Sequence, residues 1–527
     1  MVYQDLLKGI GEICGIQLLD VSERYHDEVY VSVQKEDFKK ACIALHKYLR
    51  SPVMTQFALD NRQEQKVFVL YCGFMSIRYK KWVFVVTEIP ADTAQFDSLS
   101  KELYSATLFE REIKEMFGIE PCNSPDTRSL RLHDEVWPRG QYPLRKDFKT
   151  GLSQANLLGE YAFAKVEGEG IFEVPVGPVH AGIIAPGHFR FSSAGEPIIN
   201  LEIRLGFTHR GVEKLFEGKN IFEAIKLSEC VAGDAAFGHS WSFCQAIEKN
   251  CGVTVPKNSS AARAILLELE RMYNHVNDIG GIAIDVGFSF PAAYASLMKE
   301  TILQLNEKIT GSRYLKGANT IGGVNFDLNE EKKRLIKSSL GAFAKDFEEL
   351  KNILFSSVSF MDRVDGTGIL RKKTAEDFGV VGLCARASGI AADLRKDFTG
   401  IYDKVKFHSE KQETGDVLAR LNLRILECEE SMRLIEQFLR IVGGSENKIL
   451  IRPQPKAGFA LGYIESWRGP VLYWVKIDAQ GFIERCKIVD PSFHNWPALA
   501  YAVLGNIIPD FPLCNKSFDL SYAGNDL

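Results

Sequence analysis

Four long amphipathic stretches constrain the fold more than anything else in this chain: AARAILLELERMYNHVNDIGGIAIDVG, AAYASLMKETILQLNEKITG, EEKKRLIKSSLGAFAKDFEELKNILFSS and DVLARLNLRILECEESMRLIEQFLRIV. Each repeats apolar residues at i, i+3, i+4 and i+7, which puts them on one helical face. A helix cannot bury such a face alone, and lengths of roughly 20–28 residues predict a long antiparallel bundle. β-Rich sequence flanks the helices. Before them, GPVHAGIIAPGHFRFSSAGEPIINLEIRLGFTHRG has turn signals at PGH and SAGEP and reads as a loop with a hairpin or small sheet. After them, GYIESWRGPVLYWVKID and FIERCKIVD return to strands, and NWPALAYAVLGNII gives a last helix.

The N-terminal part has a different rhythm. KEDFKKACIALHKYLR is helical in pattern, KVFVLYCGF and KWVFVVTEI are β-rich, and LYSATLFEREIKEMFGIEP is an acidic amphipathic helix. RSLRLHDEVWPRGQYPLRKDF, rich in Arg, Pro and Gly without periodicity, reads as an extended arm of the kind that lies along a partner. A chain of 527 residues needs more than one core. The expected class is α+β: a small N-terminal α/β domain with the arm over 1–150, a linker over 151–175, and a large domain over 176–527. That large domain would combine the helical bundle with peripheral β-structure.

Charge and composition exclude some functions. A net charge of −4 leaves no basic excess to neutralise phosphates, which argues against nucleic acid as a partner. No run of 18 uncharged apolar residues marks a transmembrane helix; the stretch Val67–Val86 is broken by Arg78, Lys80 and Lys81 and reads as paired strands. MVYQDLLKGIGEICG has no signal-peptide pattern, so a cytoplasmic location is expected. The 11 cysteines include no C-x-x-C pair and fit a reducing compartment, as buried small hydrophobes.

FEREIKEMFGI and LRLHD…WP…PLRKDF resemble the 30-kDa-type subunit of respiratory complex I. GPVHAG…GHFRF, LGFTHRGVEKLFE, GHSWSFCQAIEK, LELERMYNHVNDIGG, ARASGI, ESWRGP and DPSFHNWPALAYAVLGNIIPD resemble the 49-kDa-type subunit. They also resemble its relative, the large subunit of membrane-bound, energy-converting [NiFe] hydrogenases of the formate-hydrogenlyase type. The resemblance implies a [NiFe]-hydrogenase-large-subunit-like fold for the second part.

The hydrogenase branch holds its Ni–Fe pair with four thiolates. Aligning on His239 puts the first two ligand positions at Ala232 and Ala235, and the second two fall on Ser521 and Gly524. The expectation is no metal and no Ni–Fe centre. In the quinone-reducing branch a loop histidine and a tyrosine hold the headgroup. His188 matches the histidine, whereas the tyrosine position falls on Gly233, beside Asp234. His188 as headgroup donor and proton source, with Asp234 as its orienting partner, is therefore the expected catalytic pair. The ordinary alternatives are a loop histidine bonded to backbone and, for Asp234, the N-cap of the AAFGHSWSFCQAIEK helix.

The same resemblance assigns His180, His239, Glu465, Arg468, Asp519 and Ser521 to an acceptor pocket; a turn salt bridge is the simpler role for Glu465 and Arg468. It assigns His209, Arg210 and Glu213 to a cluster-facing surface and proton route, where a solvated charged face is the alternative. Arg363 and Asp416 match family positions with structural roles, and His133 should fix the arm. The implied partners are a [4Fe–4S] small subunit, a ferredoxin-like subunit and multi-spanning membrane subunits, with this chain peripheral on the cytoplasmic face of the cell membrane. Its expected function is to pass electrons from the partner's cluster to a quinone-like or other acceptor. A redox-silent subunit that couples an electron-transfer arm to a membrane ion pump is the alternative.

Overall fold

The structure is a computed structural model that describes residues 15–149, 151, 157, 159–398, 400–443 and 453–527. Its N-terminal sheet runs in the order Asp20–Arg24, Glu28–Ser32, Lys81–Pro90, Val67–Ser76, Thr55–Asn61. Glu28–Ser32 and Lys81–Pro90 pair in parallel, and the other neighbours are antiparallel. The helix Phe38–Leu49 buries Phe38, Ala41, Cys42 and Leu45, an i, i+3, i+4, i+7 set, against this sheet.

Material from the distant end of the chain completes this core. A three-stranded antiparallel sheet, Gly458–Glu465, Pro470–Ile477 and Ile483–Val489, contributes Trp474, whose ring lies 4.9 Å from Phe57 and 5.2 Å from Tyr71. Leu461, Leu472, Val489 and Phe493 join the same apolar cluster. The arm does not lie free for a partner, as its composition predicts. It is folded into the chain: Leu132 and Leu144 are buried in that cluster, and His133 Nε2 sits 2.7 Å from the Leu205 carbonyl. Its prolines and glycines removed the periodicity by which burial is read, but not its apolar anchors.

The four predicted helices form at Lys257–Asp285, Ser289–Thr310, Glu330–Ser356 and Val417–Ile441. Lys257–Asp285 is central and packs against both Ser289–Thr310 and Val417–Ile441. It is buried on nearly all sides, although it carries Arg263, Glu268, Glu270, Arg271 and Asp278. Buried charges persist only when paired. Arg263 holds Glu248 at 3.0 and 2.6 Å, Arg271 holds Glu268 at 3.1 Å, and Arg424 holds Asp278 at 2.9 Å. Glu427 takes Arg386 at 2.5 Å and His275 at 2.8 Å. Arg363 pairs with Asp510 at 2.7 Å, and Asp416 caps Val417–Ile441 through the Ala419 N–H at 2.8 Å. Both therefore have the expected structural roles.

The stretch containing His188 is a three-stranded antiparallel sheet, Ile198–Arg204, His188–Ala194, Ile171–Val176, packed through Phe189 and Phe191 on the helices Pro491–Ala502 and Phe511–Phe518.

Candidate functional site

Three segments meet beside the bundle: the loop 230–235, the turn 465–469 between two strands, and residues 519–527. The central helix positions the loop. Glu270, Tyr273 and Asn274, at i, i+3 and i+4, present one face to it. Glu270 accepts hydrogen bonds from the Phe237 and Gly238 N–H groups at 2.8 and 3.0 Å, capping the Ala236–Cys251 helix from outside. Tyr273 and Asn274 donate to the Asp234 carbonyl at 3.2 and 2.7 Å, and Trp467 Nε1 adds a third donor at 3.2 Å. Burial pushes the Glu270 carboxyl up to about 8 against the two backbone donors that favour its charged form.

Arg468 crosses from the turn to both other segments. Its Nη1 and Nη2 donate to the two Asp234 carboxylate oxygens at 3.0 and 2.6 Å, Nη2 reaches Asp519 Oδ2 at 3.2 Å, and Nε donates to the Asp519 carbonyl. Its guanidinium lies 3.8 Å from the Trp467 ring centroid. Burial alone would raise the Asp519 carboxyl, but Lys516 and Arg468 outweigh it and hold it low. Asp278, buried below, is pushed up to about 7 by burial and by the Asp519 charge. A second arginine joins the same segments at their outer edge: Arg210 donates to the Cys230 and Val231 carbonyls at 2.7 and 2.9 Å and to the Ala523 carbonyl at 3.2 Å.

These contacts revise several expectations. Among the described residues no hydrogen bond joins His188 to Asp234; the Asp234 carboxylate is held by Arg468. Nor is Asp234 the helix cap, because Ala235 occupies that place and Glu270 does the capping. Glu465 and Arg468 do not form a turn salt bridge. Glu465 points into the bundle, pairs with Arg386 at 3.0 Å, accepts from the Leu394 N–H at 3.2 Å and lines a separate cavity of about 290 Å³ with Lys249, Arg263 and Tyr402. Burial, with Asp393 adding to it, raises its carboxyl to about 7.

The HRGVEK segment is not a solvated charged face. His209 Nδ1 sits 2.7 Å from the Asp526 carbonyl, and Glu213 is buried between Arg485 at 2.7 Å and Lys487 at 3.3 Å. Burial lowers the pKa of His209. For Glu213, burial is overcome by Arg485 and Lys487, which bring the carboxyl down to about 2.

His180 braces its own loop, with Nε2 2.7 Å from the Gly187 carbonyl. His239 is fully buried between Tyr473 OH at 3.0 Å and Asp490 Oδ2 at 3.1 Å. His188 differs from both. Among the described residues its Nε2 is buried without a hydrogen-bond partner. Burial lowers its pKa and so favours the neutral ring, whose nitrogens can accept as well as donate.

The four positions that the resemblance assigns to metal ligands have other uses. Ala232 and Ala235 pack on Trp467. Ser521 Oγ accepts from the Gly524 N–H at 2.9 Å as the cap of the Tyr522–Asp526 helix. A Cβ on Gly524 would lie 2.6 Å from the Asp490 carboxylate. Methyl groups and a glycine offer no donor, and a committed serine hydroxyl is a poor ligand for a soft metal, so these residues do not fit a thiolate-held pair. Among the described residues no group of three or more His, Cys, Asp or Glu side chains is placed to hold a metal ion.

Sequence reasoning missed Glu270, Tyr273, Asn274, Trp467 and Asp490 as the framework of the site. The i, i+3, i+4 spacing in ELERMYN was the available signal for the first three.

Comparison with known proteins gives the family. Residues 31–154 match the respiratory-chain NADH dehydrogenase 30 Kd subunit and residues 285–454 the 49 Kd subunit. Formate hydrogenlyase subunit 5 of Escherichia coli (strain K12) is 30% identical over 531 residues, covering 99% of this chain and 93% of that protein. Hydrogenase-4 component G of the same organism is 31% identical over 465 residues, covering 87% and 80%. A chain of the membrane-bound sulfane sulfur reductase, an archaeal respiratory membrane complex, superposes with a TM-score of 0.64 at 25% identity, covering 68% of this chain and 99% of that one. This chain therefore belongs to the family that joins the 30-kDa- and 49-kDa-type subunits of complex I to the large subunits of formate-hydrogenlyase-type membrane-bound hydrogenases, the core subunits of oxidoreductase complexes.

Proposed function

We propose that the chain passes electrons from a [4Fe–4S] cluster in a partner subunit to a quinone-like or other small acceptor at His188, without a Ni–Fe centre of its own. The observation that carries the acceptor site is the buried, unpartnered Nε2 of His188. Buried ring nitrogens are normally hydrogen-bonded, and one left bare among the described residues, in a loop-to-strand junction, is open to a ligand group. The ring gives a proton to an acceptor only after it is charged, and its lowered pKa moves that charging to the acid side of the ordinary histidine range. The reading without Ni–Fe rests on the prior commitments of Ala232, Ala235, Ser521 and Gly524.

In this reading the chain is peripheral on the cytoplasmic face of the membrane, against a [4Fe–4S] small subunit, a ferredoxin-like subunit and multi-spanning subunits. No helix among the described residues is long and apolar enough to cross a membrane, so a membrane role calls for such partners. His188→Ala, assayed in native membranes with assembly checked in parallel, is expected to lower acceptor reduction by about 10²-fold, the scale of losing a general acid.

The alternative, a redox-silent coupling subunit, draws on Trp467, which packs on Ala232 and Ala235, and on the Arg468–Asp234 pair beside them, both of which are structural contacts. It expects coupled turnover to survive His188→Ala, and that outcome would replace the first reading.

A further inference from the structure

His188 stands opposite Arg204 in the strand register, and Arg190 stands opposite Glu202. Residues two apart on a strand share a face, so these four side chains lie on one face of the hairpin. Phe189, Phe191 and Leu201 are on the other face, in the core.

Residues 161–164, an irregular segment, lie across the polar face. The Phe163 ring is 5.0 Å from the His188 ring, and the Arg190 guanidinium is 4.1 Å from Phe163 on its own account. Tyr161 packs on Phe163 at 4.8 Å and carries the guanidiniums of Arg204 at 4.4 Å and Arg128 at 5.4 Å. Glu202 anchors the segment by accepting from Tyr161 OH and the Ala164 N–H, each at 2.8 Å, and Glu135 accepts from the Tyr161 N–H at 3.1 Å.

This cover leaves a deficit beneath it. Among the described residues, His188 Nε2, Arg190 Nε and Arg204 Nε are all buried without a hydrogen-bond partner. Other groups of the two arginines are engaged: Arg190 Nη1 with Glu173 at 3.0 Å, and Arg204 with Glu135 at 2.9 and 2.6 Å. Three bare nitrogens on one face are a concentration that native packing avoids unless the face serves something else. The covering segment belongs to no strand or helix, and side-chain contacts to the sheet supply most of its hold. Lifting it breaks no ladder.

We propose that residues 161–164 are a strap whose Phe163 occupies, in the absence of ligand, the slot between the His188 imidazole and the Arg190 guanidinium. A flat, oxygen-bearing ring takes that slot when bound. The inference rests on the acceptor reading of His188 and adds what governs entry and which ligand shape is admitted. A planar π-system suits a place bounded by an imidazole and a guanidinium. Ring oxygens would pair the two arginine Nε–H donors, and in the reduced ring a hydroxyl would donate to His188 Nε2.

The test uses the complex isolated from native membranes. Modification of His188 by diethyl pyrocarbonate, followed by mass spectrometry, reads the cover directly and does not depend on turnover. Phe163→Ala is expected to raise the rate about tenfold, and Phe163→Leu, which keeps apolar bulk without a ring, by less. A rate unmoved in both variants overturns the strap. With a water-soluble benzoquinone as probe, Phe163→Ala should lower KM while leaving kcat within about twofold, because the ring no longer competes with Phe163. An unchanged or raised KM overturns the slot. Exposure of His188 in Phe163→Ala combined with full turnover in His188→Ala would sink the acceptor reading and leave the strap as a cover only.

Discussion

Arg468 and Asp234 form a bidentate pair, 3.0 and 2.6 Å, in which the arginine is buried and the carboxylate is 40% exposed. The asymmetry sets an order of costs. Asp234→Ala removes a partly hydrated partner and leaves Arg468 with Asp519, so about 1 kcal/mol is expected. Arg468→Ala leaves the half-buried Asp519 with Lys516 and unties two segments, so about 3 kcal/mol is expected. Urea unfolding of both variants checks the order, and equal losses would refute it.

Gly524→Cys should fail to restore a metal ligand and should destabilise the chain. Its Cβ would press on the Asp490 carboxylate, which is itself held by His239 at 3.1 Å and caps the Pro491–Ala502 helix through the Ser492 N–H at 2.7 Å. Overpacking of this kind costs about 1–3 kcal/mol. Gly524→Ala should share most of the loss in thermal midpoint, whereas Ser521→Cys should lose only the cap, about 1 kcal/mol.

Elemental analysis of the purified complex should find less than about a tenth of a nickel atom per chain, the background for a site without thiolates. One nickel per chain with a hydrogenase-type infrared spectrum would overturn the reading.

Stability should peak on the acid side of neutrality. Burial raises Glu270 to about 8, and Glu28, Asp278 and Glu465 to about 7. A carboxyl with a raised folded pKa binds its proton more tightly when folded. Its contribution is fully present below the unfolded value and is lost as pH rises through the folded one. Below about pH 4.5, where those carboxyls are protonated in both states, the opposite sign takes over, because burial lowers His275 to about 4 and the ion-paired Glu213 titrates near 2. Urea midpoints should therefore fall between pH 6 and 9, and Glu270→Gln should flatten that slope. A midpoint that rises over this range would contradict the assignment.

The two halves should stay together when the backbone is cut. Trp474 packs among Phe57 and Tyr71, Lys249 holds Asp27 at 2.5 Å, and Arg131 donates to the Asn525 carbonyl at 3.0 and 2.6 Å. Fragments 1–155 and 156–527, co-expressed, should co-elute at micromolar concentration, as a shared apolar core requires. Arg131→Ala, which leaves the buried Glu112 with only Lys487, should weaken that association by about 3 kcal/mol.

The sequence by itself determined the elements and the family. The 3.6-residue periodicity in EEKKRLIKSSLGAFAKDFEELKNILFSS and DVLARLNLRILECEESMRLIEQFLRIV is a local property, and it places the Glu330–Ser356 and Val417–Ile441 helices within a residue of their ends. The order of motifs such as GHFRF, HRGVEK and ESWRGP is likewise legible without coordinates. Partner choice is not local, and there the tertiary structure decided. Asp234 belongs to Arg468 rather than to His188 because a strand turn some 230 positions away delivers a guanidinium to it. Glu465 and Arg468, three apart, reach different partners because the turn between their strands reverses the chain. The arm was read as partner-facing because proline and glycine erase periodicity, yet Leu132, Leu144 and Arg131 bury it between the two halves. Phe163 carried no signal at all: a lone aromatic in irregular sequence acquires meaning only from the strand face it covers.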